Sequence, residues 1–179
     1  VKPAPSITAR HARFLHGQPV FDANYTFDAH SRRVVPEQSA PPEKTLLFFG
    51  CSITFGTGVE DSETLPAQTV AAAPGWRAFN YAFQGYGPQQ MLAKLEDGKV
   101  AEEIGGPADL GVYVVIPDHA RRAIGAKKVV CQWAYGADYP YYDYDGQGNL
   151  RHFGSFATGR PWRQRFYQLL HREQCLRYF

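Results

Sequence analysis

The residues best suited to chemistry stand where an apolar run stops. Thr45-Leu46-Leu47-Phe48-Phe49 is followed at once by Gly50-Cys51-Ser52-Ile53-Thr54-Phe55-Gly56, with Gly58 close behind. Open α/β sheets bind ligands beyond the carboxyl ends of their strands, so a serine in such a glycine-punctuated turn is placed to present its hydroxyl. Turn amides, and the N-terminus of a helix that follows, could stabilise the oxyanion formed when that hydroxyl attacks a carbonyl. The chemistry implied is nucleophilic acyl transfer through Ser52. The same pattern also arises from a serine that only closes a tight turn or caps a helix. Cys51 next to it reads either as a thiolate nucleophile or as a small buried residue.

The elements that would position Ser52 follow from the pattern around it. The run 45–49 suits a strand buried on both faces of a parallel sheet. Asp61-Ser62-Glu63-Thr64-Leu65-Pro66 opens a helix capped by Asp61 or Ser62 and reaching about Ala73, where Pro74-Gly75 stops it. Ala78–Ala82 is a second strand, and Pro88 begins a helix with Met91, Leu92 and Leu95 on one face. Gly105-Gly106-Pro107 breaks the chain before a third buried strand, Leu110–Ile116, ended by Pro117. Strand, helix, strand, helix, strand predicts an α/β fold with parallel strands 45–50, 78–82 and 110–116, the first of them central.

Upstream, Val20–Phe27 alternates in part, Asp28–Ser31 is a turn, and Arg32–Val35 is the expected return strand of an N-terminal β-hairpin arm. A linker, Ser39-Ala40-Pro41-Pro42, separates the arm from the main domain. The expected division is residues 1–43 as arm and linker and 44–179 as the α/β domain, with an aromatic β-hairpin inserted at about 127–158. The aromatic cluster of that hairpin reads as an extra packing layer, with a sugar-stacking surface as the alternative. Asp109 and the pair Asp143 and Asp145 read as turn residues. A last helix starts at Pro161 and is expected to bury Trp162, Phe166, Leu169 and Leu170.

Phe48-Phe49-Gly50-Cys51-Ser52-Ile53-Thr54-Phe55-Gly56 resembles block I of the SGNH (GDSL-type) hydrolases, usually Gly-Asp-Ser-x-Thr-x-Gly. Asn80-Tyr81-Ala82-Phe83-Gln84-Gly85-Tyr86-Gly87 looks like block II, with Gly85 at the oxyanion position. A glycine there lets a backbone N–H approach the substrate. The resemblance spans roughly residues 45–120 and implies a three-layer α/β sandwich with a parallel sheet, SGNH/flavodoxin-like. It implies a serine esterase, or an acetyltransferase of the same chemistry, acting on a small-molecule or carbohydrate ester without a cofactor. Ser52 would be the nucleophile, and the Ser52 and Gly85 amides the oxyanion hole. Three features depart from the pattern. Cys51 replaces the block I aspartate. Ile116-Pro117-Asp118-His119 stands where block III should supply an asparagine. The terminal Asp-x-x-His pair, which supplies base and orienting carboxylate, is missing. His119 could donate to the oxyanion or act as base on Ser52, with Asp118 beside it; alternatively Asp118 caps a helix and His119 fills its first turn. The missing block and the small number of strands give the expectation of a domain truncated at its C-terminus. Further chain, or a second polypeptide, would complete the sheet, and the base would be His119 or a histidine beyond residue 179; a degenerate member of the family is the alternative. A non-catalytic module that binds a glycan or a protein partner through the same cleft is the competing reading.

Composition bounds these readings. With 44% hydrophobic and 20% charged residues among 179, the chain has the profile of one globular domain with an adequate core. A net charge of +2 gives no electrostatic case for nucleic acid. Lysines and arginines are scattered apart from pairs such as Arg32-Arg33 and Lys127-Lys128, which read as ordinary solvated surface. Cys51, Cys131 and Cys175 form neither a disulfide framework nor a metal site, and leave the compartment open. His11, His16, His30, His152 and His171, read as loop or last-helix residues, show no metal spacing. No apolar run approaches the roughly 20 residues needed to span a bilayer.

Overall fold

The computed structural model describes residues 3–36 and 42–176, the side chains of 171–176 excepted. In chain order the elements are β1 (Thr8–Leu15), β2 (Gln18–Thr26), β3 (Lys44–Phe49), α1 (Ser52–Phe55), α2 (Leu65–Ala72), β4 (Trp76–Asn80), α3 (Pro88–Glu96), α4 (Val100–Ile104), β5 (Leu110–Tyr113), α5 (Asp118–Ala123), α6 (Lys127–Gln132), β6 (Pro140–Tyr144), β7 (Leu150–Ser155), α7 (Phe156–Gly159) and α8 (Pro161–Leu176). They fall into two compact units, Val1–Tyr86 with Asp97–Val115 and Gly87–Glu96 with Ile116–Phe179. Of the expected linker, Ser39, Ala40 and Pro41 lie outside the described residues.

The first unit is built on a three-stranded parallel sheet in the order β4-β3-β5, with helices flanking it. The strand before Ser52 is therefore central, as its uninterrupted apolar run predicts: every residue from Thr45 to Phe49 is buried. Leu46 and Phe48 pack with Ala78 of β4 and Val70 of α2, and burial of such side chains stabilises by about 1.5–3 kcal/mol each. Phe49 stacks on Tyr81 with ring centres 5.3 Å apart. The third strand differs from expectation. It ends at Tyr113, and Leu110 is 52% and Val115, beyond the strand, 70% exposed rather than buried.

Two helix and hairpin boundaries also differ. Asp61–Glu63 forms a single 3-10 turn, and the helix proper begins only at Leu65, capped by Thr64, whose hydroxyl accepts the Ala67 N–H. Pro66 sits in the first turn, where its missing N–H costs nothing. In the arm, Asp28 does make the turn: its carboxylate accepts the N–H groups of His30 and Arg32. The strand partner of β2 is the upstream β1, however, with a bulge between Arg13 and Phe14. Arg32–Val35 contributes only isolated bridges, Phe27 with Arg33 and Arg33 with Asn80. β1 carries charges at both faces, which hid its strand character.

The largest correction concerns Arg32 and Arg33, which are buried. Arg32 reaches Asp28 at 2.7 Å, donates to the Tyr81 hydroxyl at 2.9 Å and lies over the rings of Phe79 and Tyr81. Burial pushes the Tyr81 hydroxyl up to about 12. Arg33 pairs with Asp61 at 2.8 Å and donates to the carbonyls of Phe55, Gly56 and Val59. Ala23, Tyr25 and Phe27 of the arm form one apolar cluster with Phe55 and Ala82.

In the second unit β6 and β7 form the expected antiparallel hairpin, but the start of the expected span is α6 and a 3-10 turn at Gly136–Asp138 rather than strand. Tyr139, Tyr141 and Phe156 pack with Val129 and Val130, so part of its aromatic content builds a core. Asp145 is a turn residue accepting from Gln147 and Asn149 N–H groups, whereas Asp143 lies in β6 and Asp109 accepts the Thr45 N–H in the first unit. The last helix does not bury the predicted side. Trp162 is 71%, Phe166 52% and Leu169 57% exposed, and Leu170 is exposed too. His11 and His152 belong to β1 and β7 rather than to loops. Among the described residues no helix is long and apolar enough to cross a membrane, and no three potential ligands cluster for a metal.

Candidate active site

Ser52 is the first residue of α1, directly beyond the carboxyl end of the central strand. Gly50 makes the exit possible. Its φ of 152° is in the range that side chains disfavour, and a Cβ there would collide with the Thr54 side chain. The turn is fixed by backbone bonds. Cys51 C=O accepts the Phe55 N–H at 2.9 Å, and Ser52 C=O accepts those of Gly56 and Thr57 at 3.1 and 2.9 Å. α1 is a single turn ended by Gly56, so the individual amides, rather than a long-helix dipole, are what it can offer a developing oxyanion. Cys51 is 1% exposed, which withdraws it as the presented nucleophile and leaves it as a small packed residue. Ser52 is half-buried and lines a cavity of about 400 Å³. Ile53, Val59 and Leu65 supply its apolar wall and Thr57, Glu63 and Thr64 its polar one.

The end of β4 and the loop after it are fastened to this turn at three points. Asn80 Nδ2 donates to the Thr54 carbonyl at 3.2 Å, and Gln84 Nε2 donates to Thr57 Oγ1 at 3.3 Å. The Phe83 ring meets that of Phe55 edge-on at 5.4 Å. Gly85 follows in this loop with φ of 80°, a left-handed conformation that glycine adopts without strain. The two motif segments are thus neighbours in one unit. Gly85 itself is not among the described residues that wall the cavity beside Ser52.

Asp118 and His119 belong to the second unit, in the first turn of α5. Pro117 is the cap, so Asp118 does not cap; its carboxylate instead receives Arg122 Nε at 2.9 Å. His119 is 3% exposed, and its Nδ1 accepts the Ile116 N–H at 3.4 Å. Burial first, and then the Arg122 charge, hold the imidazole below its usual range. It is therefore neutral near pH 7, the state a general base requires.

Sequence reasoning nominated Ser52 and Gly85; it did not single out Thr57, Glu63 and Thr64 at the cavity wall or the buried Arg33. The first three reach the cavity only through the path of the 56–65 loop. Arg33 looked like half of a surface pair. Comparison of the chain with protein-family models, with curated proteins and with solved structures finds no match.

Proposed function

We propose that this protein is a serine-dependent esterase or acyltransferase with Ser52 as its nucleophile. The observation that carries the reading is the placement of Ser52: half-buried, at the carboxyl end of the central parallel strand, on the wall of a cavity of about 400 Å³. On this reading the sheet is the core of a three-layer SGNH/flavodoxin-like sandwich. Ser52 Oγ attacks the acyl carbon of a small or carbohydrate ester and gives its proton to a base. The carbonyl oxygen takes the negative charge and accepts from the Ser52 and Gly85 amides. When the carbonyl re-forms, the C–O bond to the alcohol breaks and the alcohol leaves with the proton. Water or an acceptor hydroxyl then attacks the acyl-serine, releasing an acid or a new ester and restoring Ser52.

A second reading, a non-catalytic module binding a glycan or protein partner, draws on the engagement of Asp118 by Arg122. Hydrolysis of short-chain aryl esters separates the two. The enzyme reading expects turnover that Ser52→Ala lowers by about a thousandfold or more, with the melting temperature within about 2 °C of wild type. Turnover that survives in Ser52→Ala contradicts it, and an inert wild type favours the binding module.

A further inference from the structure

The second unit holds its own cavity of about 630 Å³, independent of the Ser52 reading. That volume is within the range of about 300–1,000 Å³ common to small-molecule sites. Its walls are predominantly apolar: Met91 and Leu92 from α3, Ile124 after α5 and Leu150 from β7. Ile124 is 59% and Leu150 48% exposed, so apolar surface here faces solvent and would gain from a covering ligand.

The charges on the wall are unequal. Asp143 is engaged by Arg160 and by the Tyr141 hydroxyl, which together make a neutral pair with a hydrogen-bonded phenol. Arg163 is different. Its Nε and Nη2 both donate to the Tyr167 hydroxyl, at 2.9 and 2.7 Å, and among the described residues no carboxylate pairs with it. A neutral phenol leaves the guanidinium charge uncompensated among the described residues; Tyr167 takes the Nε–Nη2 edge, and Nη1 is left to meet a carboxylate end-on. An apolar chamber with one uncompensated cation at its wall is complementary to a monoanion with an apolar body.

We infer that this cavity binds a free monocarboxylate with an unbranched alkyl chain, its carboxylate on Arg163 and its chain against Met91, Leu92, Ile124 and Leu150. The site is a binding site, and nothing in the inference requires turnover.

Calorimetric titration of the 179-residue chain with octanoate, decanoate and laurate, each below its micelle concentration, tests this. One equivalent is expected to bind, with affinity rising up to about fourfold for each added methylene, the ratio equivalent to the transfer of one buried CH₂. Decanol is expected to bind at least tenfold more weakly than decanoate. Arg163→Gln should weaken decanoate about tenfold and leave decanol unchanged, a difference that general loss of structure would not produce. Leu150→Glu, at an exposed position of the wall, is a second arm should Arg163→Gln fail to fold; it should weaken decanoate at least tenfold. Absence of saturable decanoate binding, an affinity independent of chain length, a stoichiometry other than one, or wild-type decanoate affinity in a folded variant overturns the inference.

Discussion

Asn80 Nδ2 donates to the carbonyl of Thr54 at 3.2 Å, so one side chain at the end of β4 holds the turn that carries Ser52. Its Oδ1 accepts the Ala82 N–H at 3.1 Å, and Asn80 is 1% exposed. Of the contacts that join the two sequence segments that look chemically competent, this amide is the buried hydrogen bond. Asn80→Ala would leave the Ala82 N–H without its buried partner. Loss of two bonds in such a place costs about 2–4 kcal/mol. Equilibrium urea unfolding should show this loss; a change below about 0.5 kcal/mol would mean that the turn does not depend on Asn80.

Arg33 should be still more sensitive. It is completely buried, pairs with Asp61 and donates to three carbonyls of the loop that follows Ser52. Arg33→Met would leave the Asp61 carboxylate with the Thr26 N–H but without its counter-charge, and would strip those carbonyls of a donor, at a cost of about 3–5 kcal/mol. Arg33→Lys should rescue little, because an ammonium lacks the planar fork that spans several acceptors. Adding Asp61→Leu to Arg33→Met should recover part of the loss. A strictly additive double variant would show that the pair is not coupled.

Thr54 gives a prediction of the opposite sign. Its side chain is fully buried, and Oγ1 has no hydrogen-bond partner among the described residues. Thr54→Val removes the unpaired hydroxyl with little change of shape, so stability should rise by about 1 kcal/mol, or about 2–4 °C in melting temperature. A lower melting temperature would show that the hydroxyl is satisfied in solution.

The pH dependence of stability should carry a signature of His119. Burial, followed by the Arg122 charge, lowers its pKa in the folded state from the ordinary 6.5. The unfolded chain therefore takes up this proton first as pH falls. Protonation then favours unfolding, and stability declines from about pH 6.5 down to the folded pKa, below which this contribution is constant. His119→Gln should flatten the slope in that window. An unchanged slope would place the titration elsewhere.

How much of this was legible follows from the forces involved. The unbroken run Leu46 to Phe49 announces a strand buried on both faces, and the glycines around Ser52 announce the turn, because both signals are local. The same logic over-read Leu110–Ile116: a run of apolar residues does not reveal that its strand ends at Tyr113 with Val115 beyond it in solvent. Arg33 was opaque, since its partners Asp61, Phe55, Gly56 and Val59 are assembled only by tertiary structure. Trp162, Phe166 and Leu169 share helical spacing and stand exposed nonetheless, because periodicity marks a face without saying what covers it. The cavity beside Ser52 depends on the 56–65 loop, whose path no periodic pattern encodes.

The central claim is that Ser52 is an activated nucleophile, and covalent labelling tests it most directly. The folded 179-residue chain would be treated with an alkyl fluorophosphonate and analysed by intact mass and peptide mapping. The account predicts one adduct per chain, on the peptide carrying Ser52, absent in Ser52→Ala and abolished by prior unfolding. No adduct under conditions that label an active serine esterase, or an adduct on any other residue, would contradict it.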